Sequence, residues 1–195
     1  MLYDNDTFEH KGREFTVTFP HEDCQETPWQ WCDGHGVVSE QKYHPFGHGT
    51  KPPKAPGARI LYWDRGYYRT YDVAETTRVA KRDGWGPGNE ELAKLAQAVG
   101  RMPTRKEIVA AAVDQDFEYL RRWCNDEWSY VGVVVKFCDE DGDELECESL
   151  WGVESDDNAY LETVAHELAD EICARLDDAM AQEIAASRPD MAPTY

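Results

Sequence analysis

The sequence predicts an α+β protein in which antiparallel hairpins form a sheet and helices pack on one of its faces. Strand-like stretches occur in pairs around short turns, and the helical stretches carry capping signals and a clear apolar stripe. A doubly wound parallel sheet is disfavoured because it requires strict alternation of strands and helices. A chain of 195 residues can bury one core, so we expect a single α+β domain over residues 1–195.

Two hairpins are predicted in the first half of the chain. Strands at 7–10 and 13–19 flank Lys11-Gly12, and strands at 60–63 and 67–71 flank the turn at 64–66. Between the hairpins, residues 20–57 contain six Pro and five Gly. This density predicts a long irregular loop, which is either functional or mobile.

Four helices are predicted from start and stop signals. Asp72 with Glu75 starts a helix over 73–82, and a short helix covers 90–99. Thr104 with Glu107 starts a longer helix that ends near Trp123. The last helix, from Tyr160 to Ser187, carries an amphipathic stripe: Tyr160, Leu161, Val164, Leu168, Ile172, Leu176 and Met180. We expect the 104–123 and 160–187 helices on one face of the sheet.

The segment 130–153 predicts a hairpin whose register decides where its acidic residues point. A two-residue Asp141-Gly142 loop would set the valine face of the first strand against the glutamates of the second. A longer loop with a bulge pairs Phe137 with Cys147 and Lys136 with Glu148, so that apolar meets apolar and charge meets charge. We expect the second register, which leaves a regular row of carboxylates on the solvent face: Glu144, Glu146 and Glu148.

The charge is strongly negative and unevenly distributed. The chain has 39 acidic and 20 basic residues, a net charge of −19. Residues 1–100 carry a net −3 and residues 101–195 a net −16, with an acidic C-terminal half at 137–187. No Lys or Arg lies between Lys136 and Arg175, a stretch with 14 acidic residues: Asp139, Glu140, Asp141, Asp143, Glu144, Glu146, Glu148, Glu154, Asp156, Asp157, Glu162, Glu167, Asp170 and Glu171.

These 14 residues are the candidate partner-binding surface. A bare nucleic acid or an anionic membrane would be repelled, so a basic protein is the expected partner. Duplex DNA carries one negative charge per about 1.7 Å of axis, and a rigid row of carboxylates can take its place on a protein that binds it. The alternative is an ordinary solvated surface. Acidification of one half of the chain argues against a salt-rich environment as the cause.

Chemical motifs are few. Six residues of the 20–57 loop make a zinc site conceivable, but their spacing is poor and ordinary loop and turn roles are the favoured interpretation: His21, Cys24, Cys32, His35, His44 and His48. The acidic pairs at 139/141 and 156/157 lack the nearby cations that a Mg²⁺-dependent nuclease needs to hold its substrate. We therefore expect no catalytic residue, no metal and no cofactor.

The chain lacks an evident targeting signal. No window has the 18 apolar residues of a spanning helix, and the first residues do not form a signal peptide. Six scattered cysteines without a disulfide pattern are typical of reduced thiols. A cytoplasmic location without membrane contact is expected, while the oligomeric state stays open, a dimer included.

Four stretches carry a resemblance that covers most of the chain: Pro28–Ser39 (PWQWCDGHGVVS), Arg78–Trp85 (RVAKRDGW), Leu120–Trp128 (LRRWCNDEW) and Glu148–Ser155 (ESLWGVES). They resemble a family of small acidic proteins encoded by bacterial viruses and prophages, of largely unknown function. The resemblance implies a viral protein in a bacterial host cell and supplies no catalytic residues. Its context suggests an anti-CRISPR or anti-restriction inhibitor that mimics DNA. The alternative is a non-mimetic viral adaptor that binds a partner through the 20–57 loop, with or without zinc.

Overall fold

The protein, described here from a computed structural model, has its strands and helices in a mixed order along the chain. The structure describes residues 1–23, 26–42, 57–64 and 67–187. In these ranges the elements are β1 (Asp6–His10), β2 (Arg13–Thr18), α1 (Pro28–Trp31), β3 (Val38–Lys42), β4 (Ala58–Asp64), β5 (Tyr67–Asp72), α2 (Val73–Asp83), α3 (Asn89–Val99), α4 (Arg105–Cys124), β6 (Tyr130–Cys138), β7 (Glu144–Glu154) and α5 (Asn158–Ala186).

The chain divides into two compact units. Unit 1 comprises residues 1–23 and 129–195, and unit 2 comprises residues 24–128. Each unit has its own antiparallel sheet and its own helices, which confirms the α+β class. Two hydrophobic cores, one in each unit, take the place of the one core expected from the chain length.

Unit 1 is a four-stranded sheet with one long helix on it. The strand order is β1-β2-β6-β7, and every neighbouring pair is antiparallel. The middle of the apolar stripe of α5 packs on the sheet, because residues from Leu161 to Leu176 recur every three or four positions. The two ends of the predicted stripe do not pack there, since Tyr160 is 49% and Met180 55% exposed. Val17, Val133, Val135 and Ile172 are fully buried in the core between the sheet and this helix.

Unit 2 combines a three-stranded sheet, of order β3-β5-β4, with α1 to α4. The helix α4 packs against β4 and α2. Tyr71 of β5 and Leu120 of α4 are fully buried in its core. The predicted caps are confirmed: the Asp72 side chain accepts a hydrogen bond from the amide of Glu75, and Thr104 and Glu107 form a capping box.

The predicted arrangement of helices on one sheet is wrong. The helix α4 belongs to unit 2 and α5 to unit 1, so they pack on different sheets. The irregular segment predicted at 20–57 contains α1 and β3. The strand β3 was missed because VSEQK is mostly polar, yet it pairs along its length with the tyrosine-rich β5. Residues 24, 25 and 43–56 of that segment lie outside the described residues.

The register predicted for the 130–153 hairpin is also wrong. Val135 lies opposite Glu148, Lys136 opposite Cys147 and Phe137 opposite Glu146. The valine face of β6 therefore meets Glu146 and Glu148, the arrangement that the apolar pairing rule disfavours. A register shift between Phe137 and Cys138 then places Glu144 opposite Cys138, so the three glutamates do not form one row on a solvent face.

No helix among the described residues is long and apolar enough to cross a membrane.

Candidate functional site

The net negative charge of the chain comes entirely from unit 1. Its residues include 24 acidic and five basic side chains, a net charge of −19. Unit 2 has 15 of each kind and a net charge of zero. The two units therefore differ more in net charge than the two halves of the sequence do, at −19 and zero against −3 and −16.

Three of the predicted acidic residues in the β6–β7 hairpin form ion pairs within unit 1. The guanidinium of Arg175, on α5, lies 3.0 Å from Glu146 and 2.6 Å from Glu148. The ammonium of Lys136 lies 2.7 Å from Glu144. One arginine from the helix thus compensates the two carboxylates that face the valines, which explains why the observed register is tolerated.

Two further predicted acids, both on α5, also have cationic partners. The N-terminal amine of Met1 lies 3.2 Å from Glu162. Asp170 accepts from His10 Nε2 at 2.7 Å and pairs with Lys11 Nζ at 2.6 Å. The hydrogen bond from His10, followed by that from Lys11, lowers the pKa of Asp170 to about 2. These contacts tie the β1–β2 hairpin and the chain start to α5.

Four more of the predicted acids have local structural roles or partners. Asp139 Oδ1 accepts from the amides of Asp141 and Asp143 and so shapes the hairpin turn. Asp157 caps α5 by accepting from the amide of Tyr160 at 3.0 Å. Glu154 and Asp156 each have an interaction partner within the protein.

The remaining five predicted acids are exposed and form no ion pair with a cation in the described ranges: Glu140, Asp141, Asp143, Glu167 and Glu171. We call these five residues the open acidic surface. Glu167 and Glu171 lie on the outer side of α5, since Leu168, Ala169 and Ile172 between and beside them are buried. The other three lie at the β6–β7 turn.

The ion pairs determine how neutralising the hairpin glutamates affects the stability of unit 1. Replacing Glu144, Glu146 and Glu148 together by Gln removes the partners of Lys136 and Arg175. Because each exposed pair contributes at most about 1 kcal/mol, unit 1 should lose about 1–2 kcal/mol in its free energy of unfolding, measured by urea denaturation. A triple variant as stable as the parent would show that these pairs contribute nothing and that relief of like-charge repulsion dominates.

A matched control neutralises three acids of the same hairpin that have no cationic partner. The variant E140Q/D141N/D143N also removes three charges but breaks no ion pair, and Asp139 keeps the turn. Its stability should equal or slightly exceed that of the parent.

A second group of polar side chains meets in unit 2, around Asp116 of α4. The carboxylate is 9% exposed. One of its oxygens lies 2.7 Å from His35 Nδ1. The other accepts from the amide of Gly36 at 2.8 Å and from the hydroxyl of Tyr71 at 2.7 Å. The His35 ring stacks on Tyr119, with ring centroids 5.2 Å apart and planes 12° from parallel.

The hydroxyl of Tyr71 is held as a donor in this group. Burial, followed by the hydrogen bond to Asp116, raises the pKa of Tyr71 far above its usual value. The carboxylate accepts three hydrogen bonds, so it is well satisfied despite its burial. This arrangement fixes the orientation of the His35 imidazole.

Sequence reasoning treated His35 only as a turn residue or zinc ligand and missed Asp116 altogether. A signal for Asp116 exists, because it lies on the apolar stripe of α4, three residues after the buried Val113 and four before the buried Leu120. An acidic residue at such a position must find donors on folding. Which donors they are depends on the loop about 80 residues earlier.

The structure offers no support for the zinc hypothesis. No group of three or more His, Cys, Asp or Glu side chains in the described ranges is arranged to hold a metal ion. Cys32 is exposed, and His35 is engaged with Asp116. Cys24, His44 and His48 lie outside the described residues, so the prediction is untested for them.

Comparison of this chain with protein families, with curated proteins and with solved structures found no match.

Proposed function

We propose that this protein is an acidic inhibitor that occupies the nucleic-acid-binding surface of a host defence complex by mimicking the charge of DNA. The observation that carries the proposal is the confinement of a net charge of −19 to unit 1, beside a unit of net charge zero. A solubility effect alone would favour charge spread over both units. Concentrated charge instead favours steering toward a basic partner.

The pairing pattern in unit 1 divides its acids into two kinds. The paired acids connect β6 to β7, and they connect β7, the β1–β2 turn and Met1 to α5, which gives the unit a fixed shape. The open acidic surface provides carboxylates that a partner's Lys and Arg side chains can contact. Glu167 and Glu171 stand one helical turn apart, which is about 6 Å along the helix axis. Two like charges at this fixed separation can be contacted together by the Lys and Arg side chains with which nucleic-acid-binding proteins hold phosphates.

The expected partner is a basic nucleic-acid-binding protein, and the protein itself should bind neither nucleic acid nor membranes. The resemblance to viral and prophage proteins makes a CRISPR effector complex or a restriction enzyme the expected target. Inhibition would follow from competition for one site and would require no chemistry from this chain.

The test is a charge-neutralised variant of the open acidic surface. A capture experiment from bacterial lysate at low salt identifies the partner, and a DNA duplex should compete with the protein for it. Removing five exposed carboxylates, each worth at most about 1 kcal/mol, should weaken partner binding by about two powers of ten: E140Q, D141N, D143N, E167Q and E171Q. Salt should weaken binding of the parent similarly, because exposed charges are screened.

The control removes five exposed acids from unit 2 instead: E26Q, D33N, D64N, E90Q and D126N. Among the described residues only Glu90 of these five has a cationic partner, Lys94, which keeps its second partner Glu91. The control has the same total charge as the unit 1 variant and should bind the partner nearly as tightly as the parent. If both variants bind alike, or if DNA does not compete, the mimicry proposal is wrong. The 20–57 segment would then become the better candidate surface.

A further inference from the structure

The polar group around Asp116 borders a pocket of about 420 Å³ in unit 2. Its wall is formed by the loop that carries Gly34 and His35, by the α2–α3 connection at Trp85 and Gly86, and by one side of α4. Gln115 and Tyr119 are the residues of α4 that flank Asp116 at the pocket. The volume is sufficient for a ligand of nucleoside size.

The hydrogen bonds determine what the imidazole offers to this pocket. A carboxylate only accepts hydrogen bonds, so His35 Nδ1–H donates a hydrogen bond to Asp116. In the neutral ring, Nε2 is then left as an acceptor. No described residue hydrogen-bonds to Nε2. His35 Nε2 can therefore accept a hydrogen bond from a donor group on a ligand.

Two glycines hold His35 in this position. Gly34 has a φ of 106°, which a residue with a Cβ rarely adopts. A Cβ on Gly36 would overlap the buried ring of Tyr71. The two glycines therefore allow the backbone to contact the Tyr71 ring while the His35 imidazole stacks on the Tyr119 ring.

The lining selects the chemical class of the ligand. None of the described residues that border the pocket is Lys or Arg, so they offer no fixed positive charge to a phosphate or a carboxylate. The ring of Trp85 favours a flat ligand that can stack, whereas the Tyr119 ring is already covered by His35 and Trp128. The Gln115 amide offers a donor and an acceptor, a combination suited to an adenine edge. His35 Nε2 requires a donor such as an amino group.

We propose that the pocket of unit 2 binds an uncharged, amino-substituted planar heterocycle of the nucleobase class, whose amino group donates to His35 Nε2. Asp116 is then a positioning residue that fixes the tautomer and orientation of His35. The proposal does not depend on the proposed function of unit 1.

The test compares two ligands that differ in one amino group. Adenosine and purine riboside are titrated into the ¹⁵N-labelled full-length protein, and the Trp85 indole and His35 ring signals are followed by NMR. Adenosine should give saturable shifts at both residues and bind about fivefold more tightly than purine riboside, the value of one neutral hydrogen bond. Adenosine 5′-monophosphate should bind no more tightly than adenosine, because no Lys or Arg is found among the described residues of the lining.

The variant His35→Phe keeps a ring on Tyr119 but lacks Nε2, and it should abolish the preference for adenosine over purine riboside. His21→Phe, at an exposed histidine of unit 1, is the matched control and should leave adenosine binding unchanged. Absence of saturable shifts with adenosine at 10 mM, or equal affinity of both ligands for the parent, would overturn the proposal even if His35→Phe failed to fold.

Discussion

Replacing Asp116 by Ala should destabilise unit 2 by about 3 kcal/mol or more in its free energy of unfolding. The change removes the acceptor for His35 Nδ1, for the Gly36 amide and for the Tyr71 hydroxyl. Each donor left without a partner in a buried position costs about 1–3 kcal/mol. The His35 and Gly36 donors lose their acceptor, and the hydroxyl of Tyr71, which is 0% exposed, keeps only the Val113 carbonyl at 3.3 Å. The loss should appear as a lower urea midpoint for the tryptophan fluorescence of unit 2.

The same helix provides a control for this prediction. The side chain of Asp114 is 69% exposed and pairs with Arg59. Asp114→Ala should cost less than about 1 kcal/mol, since exposed pairs contribute little. If Asp114→Ala and Asp116→Ala lowered stability equally, the hydrogen bonds around Asp116 would have to be weak or absent in solution.

The elements whose signals are local in sequence were predicted well. The β1–β2 hairpin, the capped starts of α2 and α4 and the long stripe of α5 all depend on residues within one or two turns of each other. Such signals determine local backbone conformation whatever the rest of the chain does. These local signals were therefore sufficient to predict the α+β class.

The features that failed depend on residues far apart in the chain. The β6–β7 register was chosen from cross-strand pairing alone, whereas Arg175 of α5 compensates Glu146 and Glu148 in the register that the protein adopts. Similarly, no local rule links Asp116 to His35 and Gly36, about 80 residues earlier. Tertiary partners decide where a buried charge is tolerated, and a single sequence does not reveal them.

The candidate surface was likewise predicted only in outline. Composition located the negative charge, and the structure confines it to unit 1. Composition did not show that five of the predicted acids have cationic partners: Glu144, Glu146, Glu148, Glu162 and Asp170. A charge count treats all carboxylates alike. A partner protein, however, has to replace an internal ion pair to contact some of them, whereas it can contact the others directly.

Replacing Ile172 by Ala should destabilise unit 1 by about 3 kcal/mol, because it leaves a cavity between α5 and the sheet. Ile172 is 0% exposed, and unit 1 has to hold a net charge of −19 together with a single core. Partner binding should fall with the folded fraction at low salt, where self-repulsion is strongest, and should recover partly at low temperature.

Ile184→Ala is the matched control, since it is the same substitution on the same helix at a side chain that is 59% exposed. It should change the unfolding free energy by less than about 0.5 kcal/mol. Urea denaturation followed by circular dichroism measures both variants. Equal midpoints would mean that the stripe of α5 does not pack on the sheet of unit 1, and the fixed placement of Glu167 and Glu171 that the proposed function requires would be lost with it.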